Sequence, residues 1–170
     1  MDNLFFKEFL KQSVSRINEN NDRIIKCFRE IDETEIWQRP NRNSNSIANI
    51  ILHLCGNIRQ YAISALGETE DIRVRDKEFS ANEGFNVKEL SAKLKDTVNE
   101  AIHIIENSDE ERLIKIYSVQ GFALSGIGII IHVTEHLSYH TGQIAFWVKQ
   151  LKNIDLGFYA GIDLNAKNKN

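Results

Sequence analysis

An all-α fold built as a bundle of four long helices is what this sequence predicts, and three observations predict it. A single proline, Pro40, interrupts 170 residues, so long stretches lack the strongest helix breaker. Apolar residues recur at helical spacing through four segments. The breaks between segments are polar and carry residues that cap helices. At 170 residues, with 42% hydrophobic and 26% charged content, the chain suits one domain, 1–170, with a sizeable core.

The first helix is expected from about Asp2 to about Ile31. Phe5, Phe6, Phe9, Leu10, Val14, Ile17, Ile24, Ile25 and Phe28 mark its apolar stripe. Pro40 and the run from Asn41 to Ser46 break the chain, and a second helix follows to about Leu66. The third opens on a capping box, Asn86-Val-Lys-Glu89, and continues to about Asn107. The fourth is expected from about Ala123 to Leu151, with Gly121, Gly126 and Gly128 blurring its start. The connection from Gly67 to Asn86 is long for a bundle hairpin. It is expected to cross the end of the bundle, so that the second and third helices need not be antiparallel neighbours. Leu113 to Gly121 alternates like a strand and is expected to cover one mouth. The tail from Asn165 to Asn170 is expected to fray.

Charge and composition exclude several classes of partner. A formal charge of −3 offers no basic footprint for nucleic acid. No apolar run approaches the ~20 residues of a membrane span. The N-terminus turns acidic and amphipathic at once, unlike a secretory signal. The expectation is a cytoplasmic protein without a membrane or nucleic-acid partner. Cys27 and Cys55 are then expected as packed thiols and not as a disulfide.

The chemistry is concentrated in the histidines. Four of the five fall on the second and fourth helices, as His53, His132, His136 and His140. Residues four apart stack on one helix face. At a step of about 100° per residue, His140 lies about 40° from His136, inside the apolar stripe, and His132 lies about 40° the other way, on its fringe. His136 and His140 are therefore the better ligand pair. His53 borders the core stripe of its own helix beside a polar row of Ser46, Asn49, Asn57, Gln60 and Ser64. Such a row suits the wall of a water-filled pocket or an exposed helix face. Three imidazoles from two helices make a site with open metal positions. The alternative is hydrogen-bonded structural histidines, the reading given to His103 as a core residue on the third helix. A closed four-ligand zinc site is disfavoured because no CxxC spacing exists.

The segment His136-Leu-Ser-Tyr-His140-Thr-Gly-Gln-Ile144, with His132 before it, resembles the last-helix motif of the DinB/YfiT-like superfamily. Ser46-Ile-Ala-Asn-Ile-Ile-Leu-His53-Leu, followed by Asn57 and Gln60, is similar to its second-helix motif. Arg75-Asp-Lys-Glu-Phe-Ser80 and Asp155-Leu-Gly-Phe-Tyr-Ala-Gly161 look like a subfamily of unknown function. The resemblance implies a four-helix bundle with an unusual crossover between helices two and three. It also implies a divalent metal, nickel or zinc, on three residues, which carry over here as His53, His136 and His140. Members act as thiol-dependent transferases or isomerases using low-molecular-weight thiols, or are described as metal-dependent hydrolases. Pairing through the bundle is common among them, so a homodimer is expected.

Three neutral imidazoles leave the charge of a +2 ion uncompensated, which acidifies a bound water toward a pKa of about 7 and favours a thiolate. Asn57, Gln60, Tyr139 and Gln143 are candidates for orienting a ligand or a small-molecule substrate. No acidic residue falls on either histidine face, so His132 is the first choice for a base. The leading expectation is a metal-dependent transferase or hydrolase. A non-catalytic metal-binding or stress-response bundle is the second reading, and a plain helical dimer with structural histidines the third.

Overall fold

The computed structural model describes residues 4–168. Its order is α1 (Leu4–Phe28), a 3₁₀ turn (Glu35–Trp37), α2 (Ile47–Ile58) with a π-helical continuation (Arg59–Leu66), α3 (Arg75–Ser80), α4 (Val87–Glu106), α5 (Glu110–Ile114), β1 (Ile116–Val119), β2 (Phe122–Ser125) and α6 (Gly126–Lys152). The four long helices are those the sequence predicts. Asp2 and Asn3, placed in the first helix by its periodicity, lie outside the described residues, as do Lys169 and Asn170 of the tail. No described helix is long and apolar enough to cross a membrane.

α1 packs on α4 and α6, and α2 packs against the same two helices. The buried stripe of α1 runs through Leu10, Ile17, Ile24 and Cys27, while Phe5 is 87% exposed and stands outside it. Every residue of α2 except Gly56 is buried. A helix buried all round needs cover on each side, and α2 obtains it from α4, α6 and the crossover. Its start is a capping box in which Ser46 and Asn49 satisfy each other's backbone N–H groups. The Asn86/Glu89 box opens α4 as the sequence predicts.

The crossover departs from expectation. It runs along α2 instead of across the bundle's end, and α2 and α4 are in direct contact. The Asn49 amide donates to the carbonyls of Glu78 and Ala81. The Gln60 amide donates to Asp71, and the Ser64 hydroxyl donates to the Glu70 carbonyl. Asn49, Gln60 and Ser64 of the polar row are therefore a rail that holds the crossover, not the wall of a water-filled pocket. Buried backbone carbonyls need donors, and amides and hydroxyls along one helix face supply them.

The start of the fourth helix also shifts. Ala123 lies in β2, which pairs antiparallel with β1 from Ile116 opposite Ser125 to Val119 opposite Phe122. Gln120 and Gly121 both have positive φ, 50° and 81°, as a two-residue hairpin turn requires. The Ser125 hydroxyl caps α6 by accepting from the Gly128 N–H. Gly126 is forced by close approach, because a Cβ there would lie 2.5 Å from the Arg112 carbonyl oxygen. Cys27 and Cys55 are free and buried.

Candidate metal centre

His53 on α2 and His136 and His140 on α6 converge where the two helices pack. One ring nitrogen from each lies within 4.8 Å of the other two, the one such group of three among the described residues. Nε2 of His53 stands 3.1 Å from Nε2 of His136. The three rings meet edge-on, with centroids 4.5–5.1 Å apart.

The donor set fits a divalent ion. Two imidazole nitrogens bound at about 2.0–2.1 Å to one ion stand about 2.8–3.4 Å apart between octahedral and tetrahedral angles. Two facing lone pairs otherwise repel, and a proton or a cation must lie between them. Two of the three Nδ1 atoms have side-chain acceptors within reach. His140 Nδ1 is 2.7 Å from the Gln143 side-chain oxygen, which accepts its hydrogen. His53 Nδ1 is 3.1 Å from Glu78 Oε2. His136 Nδ1 is buried without a partner among the described residues.

Burial favours the neutral form of His136 and His140. Burial, then the neighbouring His140, His53, His132 and Arg73, pulls the His136 imidazole down to about 3. Burial also lowers His140, against the hydrogen bond to Gln143. Neutral imidazole is the form that binds metal.

The remaining residues singled out by the sequence divide by distance from this cluster. His132 is outside the ligand group. Its ring stacks on Tyr61 at 4.0 Å and on His136 at 5.4 Å. Its Nε2 lies 3.1 Å from the Asn57 amide nitrogen, and burial lowers its pKa. Asn57 thus touches His132 and not the three-histidine cluster, and its Oδ1 is buried without a partner among the described residues. Gln60 accepts from Arg73 and holds the crossover. Gln143 holds His140. Tyr139 is 64% exposed and meets the edge of His140 at 5.0 Å. His103 is exposed on α4, near Asn107, and is not the hydrogen-bonded core residue expected of a lone histidine. With α4 packed through Leu94, Val98, Ala101 and Ile105, position 103 falls on the solvent side.

Glu78 and Arg73 are the residues that sequence reasoning missed. Both come from the crossover, and neither lies on a histidine helix. Arg73 grips Glu78 through two parallel bonds, Nε to Oε1 at 2.7 Å and Nη2 to Oε2 at 2.8 Å. Burial alone pushes the Glu78 carboxyl up, but hydrogen bonds from Arg73 and His53 outweigh it and hold the group below its ordinary value. The segment Arg75–Ser80 was visible as a motif. Its position against His53 was not, because helical periodicity says nothing about which loop covers which face.

Solved structures of DinB-like proteins are similar to this chain. A DinB-like protein (YjoA) from Bacillus subtilis is 19% identical with a TM-score of 0.66, covering 89% of this chain and 96% of its own. A DinB-like protein from Bacillus cereus is 14% identical with a TM-score of 0.62, covering 84% and 90%. These likenesses show that the fold is DinB-like. No curated protein matches the chain. The profile of a family described as proteins of unknown function (DUF1572) matches residues 5–160, and the chain belongs to that family.

Proposed function

We propose that this protein holds one divalent transition metal on His53, His136 and His140, and uses it either to transfer a low-molecular-weight thiol to a small electrophile or to hydrolyse a small substrate. The observation that carries the reading is the convergence of three ring nitrogens within 4.8 Å, from helices that the chain separates widely. Soft-to-borderline imidazole donors suit nickel or zinc better than calcium or magnesium. A +2 ion held there would supply Lewis acidity, acidifying a water toward a pKa of about 7 and favouring the thiolate of a thiol.

The residues around the ligand set have separate tasks. Gln143 orients His140 through Nδ1 and also lines a cavity of about 560 Å³ with Asn41, Asn45, Trp147 and Gln150. That cavity offers a small molecule uncharged amides and an indole face, and it adjoins the centre through Gln143. His132 is the one imidazole beside the ligand set among the described residues, and it is our choice for accepting a proton during either reaction. Asn57 holds its ring.

Elemental mass spectrometry on untagged protein, purified without chelator, tests the reading. About one divalent ion per chain is expected in the wild type, and none in His53→Ala or His140→Ala. Stoichiometric metal retained in His140→Ala, or none bound by the wild type after incubation with nickel or zinc, removes the proposal. Metal-loaded protein is then assayed for thiol transfer and for hydrolysis.

A further inference from the structure

The carboxylate nearest the cluster belongs to no helix that carries a histidine. We propose that Glu78 is a positioning residue for His53: it keeps the imidazole hydrogen on Nδ1 and so presents the Nε2 lone pair to His136 and His140. The assignment rests on the three-histidine reading above, but the tautomer can be measured without metal.

Three observations carry the assignment. First, Glu78 Oε2 lies 3.1 Å from His53 Nδ1, and the two side chains are only 9% and 10% exposed. In so dry a site the hydrogen bond between a carboxylate and an imidazole N–H is strong. Second, the carboxylate is not free to turn away. Arg73, 3% exposed, clamps both its oxygens, and the remaining Nη1 donates to Gln60 at 2.8 Å. Gln60 is tied in turn to Asp71, which also accepts from the Arg73 backbone N–H.

The third observation is Gly56. It is the one residue of α2 that is not buried by the bundle, and its missing side chain is what lets the pair seat. A Cβ at this position would lie 1.9 Å from Glu78 Oε1, 2.7 Å from its Cδ and 2.9 Å from Arg73 Nε. Glycine weakens a helix interior, and here it opens a notch at the level of the first metal-ligand candidate.

Arg73 also approaches the same ring nitrogen, with Nη2 at 3.1 Å. An arginine can only donate. If it were the partner of Nδ1, the ring hydrogen would move to Nε2 and point at His136, closing the site to a cation. Glu78 is the partner compatible with three metal-facing lone pairs. Because Arg73 balances its charge, the carboxylate orients His53 without adding net negative charge to the centre.

The test uses the full chain with ¹⁵N-labelled histidine. Long-range ¹H–¹⁵N correlation on metal-free protein reads the His53 tautomer, and competitive titration with Zn²⁺ reads affinity. In Glu78→Gln the amide can face an oxygen to His53 only by turning its NH₂ onto the Arg73 donors. Wild-type His53 is expected with hydrogen on Nδ1. Glu78→Gln is expected to shift population toward Nε2–H and to weaken Zn²⁺ binding about 10–100-fold. Gly56→Ala, which retains both charges and only displaces them, is expected to do the same. It decides the matter if Glu78→Gln does not fold. Gly142→Ala on α6 has nothing within 4 Å of the added Cβ and serves as the control.

Hydrogen on Nε2 in wild-type His53 overturns the proposal. So does an unchanged tautomer and affinity in both folded variants. A wild type that binds no Zn²⁺ but shows the tautomer shift supports the role of Glu78 while removing the metal reading.

Discussion

His53 Nε2 and His136 Nε2 stand 3.1 Å apart across 83 residues of chain. No local interaction produces that contact. It follows from packing α2 against α6 with both histidines at the edge of an apolar stripe. The contact also separates His132 from the ligands, since His132 sits one turn away and meets Asn57 and Tyr61. His136→Ala is therefore expected to lower metal affinity by more than the roughly 10–100-fold typical of an outer hydrogen-bond partner. His132→Ala is expected to retain stoichiometric metal and to lose turnover. Isothermal titration of the two variants separates them, and loss of metal in His132→Ala would mean that the ligand set is misassigned.

Metal should also stabilise the fold, because the three ligands join two helices that unfolding separates. A ligand that binds only the native state contributes RT ln(1 + [L]/Kd), or about 2.7 kcal/mol at a hundredfold excess over Kd. For a chain of this size that corresponds to a rise in Tm of about 5–10 °C. Thermal unfolding with Zn²⁺ against EDTA reads the shift directly. His140→Ala is expected to unfold at one temperature under both conditions.

The helices and the phase of the histidines were legible in the sequence because both depend on local spacing. The 3.6-residue repeat places His136 and His140 toward the core and His132 at the fringe without reference to any other segment. The hairpin was half legible. Leu113 to Gly121 alternates, but Ala123, Leu124 and Ser125 suit a helix as well as a strand, and four residues are too few to reveal a period of two. Glu78 and Arg73 were not legible as site residues. Their role depends on a crossover docking along a helix already buried on its other faces, and on a notch at Gly56 that looks in sequence like any helix glycine.

Asn49 links that docking to helix stability. It closes the capping box with Ser46 and donates to two crossover carbonyls. Asn49→Ala leaves the Ser46 hydroxyl capping the helix but takes the acceptor from the buried Ser46 N–H and strands two crossover carbonyls. Each effect costs about 1–2 kcal/mol, so a loss of about 2–4 kcal/mol is expected in urea unfolding. A loss below about 1 kcal/mol would show that the crossover does not depend on this rail.

The two cysteines give a prediction with a definite pH direction. Burial raises Cys27 and Cys55 to about 11 from an ordinary value of 9.0. Each folded-state pKa is raised, so the stability these thiols contribute is fully present below the unfolded value and is lost as pH rises through about 11. The thiolate is the reactive form, and near pH 8 the native protein holds almost none of it. Iodoacetamide at pH 8 is expected to label neither cysteine in the native state and both after denaturation, as counted by intact mass. Rapid labelling of Cys55 in the native protein would show that α2 opens locally. Because Cys55 adjoins Gly56 on the helix that carries His53, such opening would also loosen the seat of Glu78, and Glu78→Gln would then be expected to label faster than the wild type.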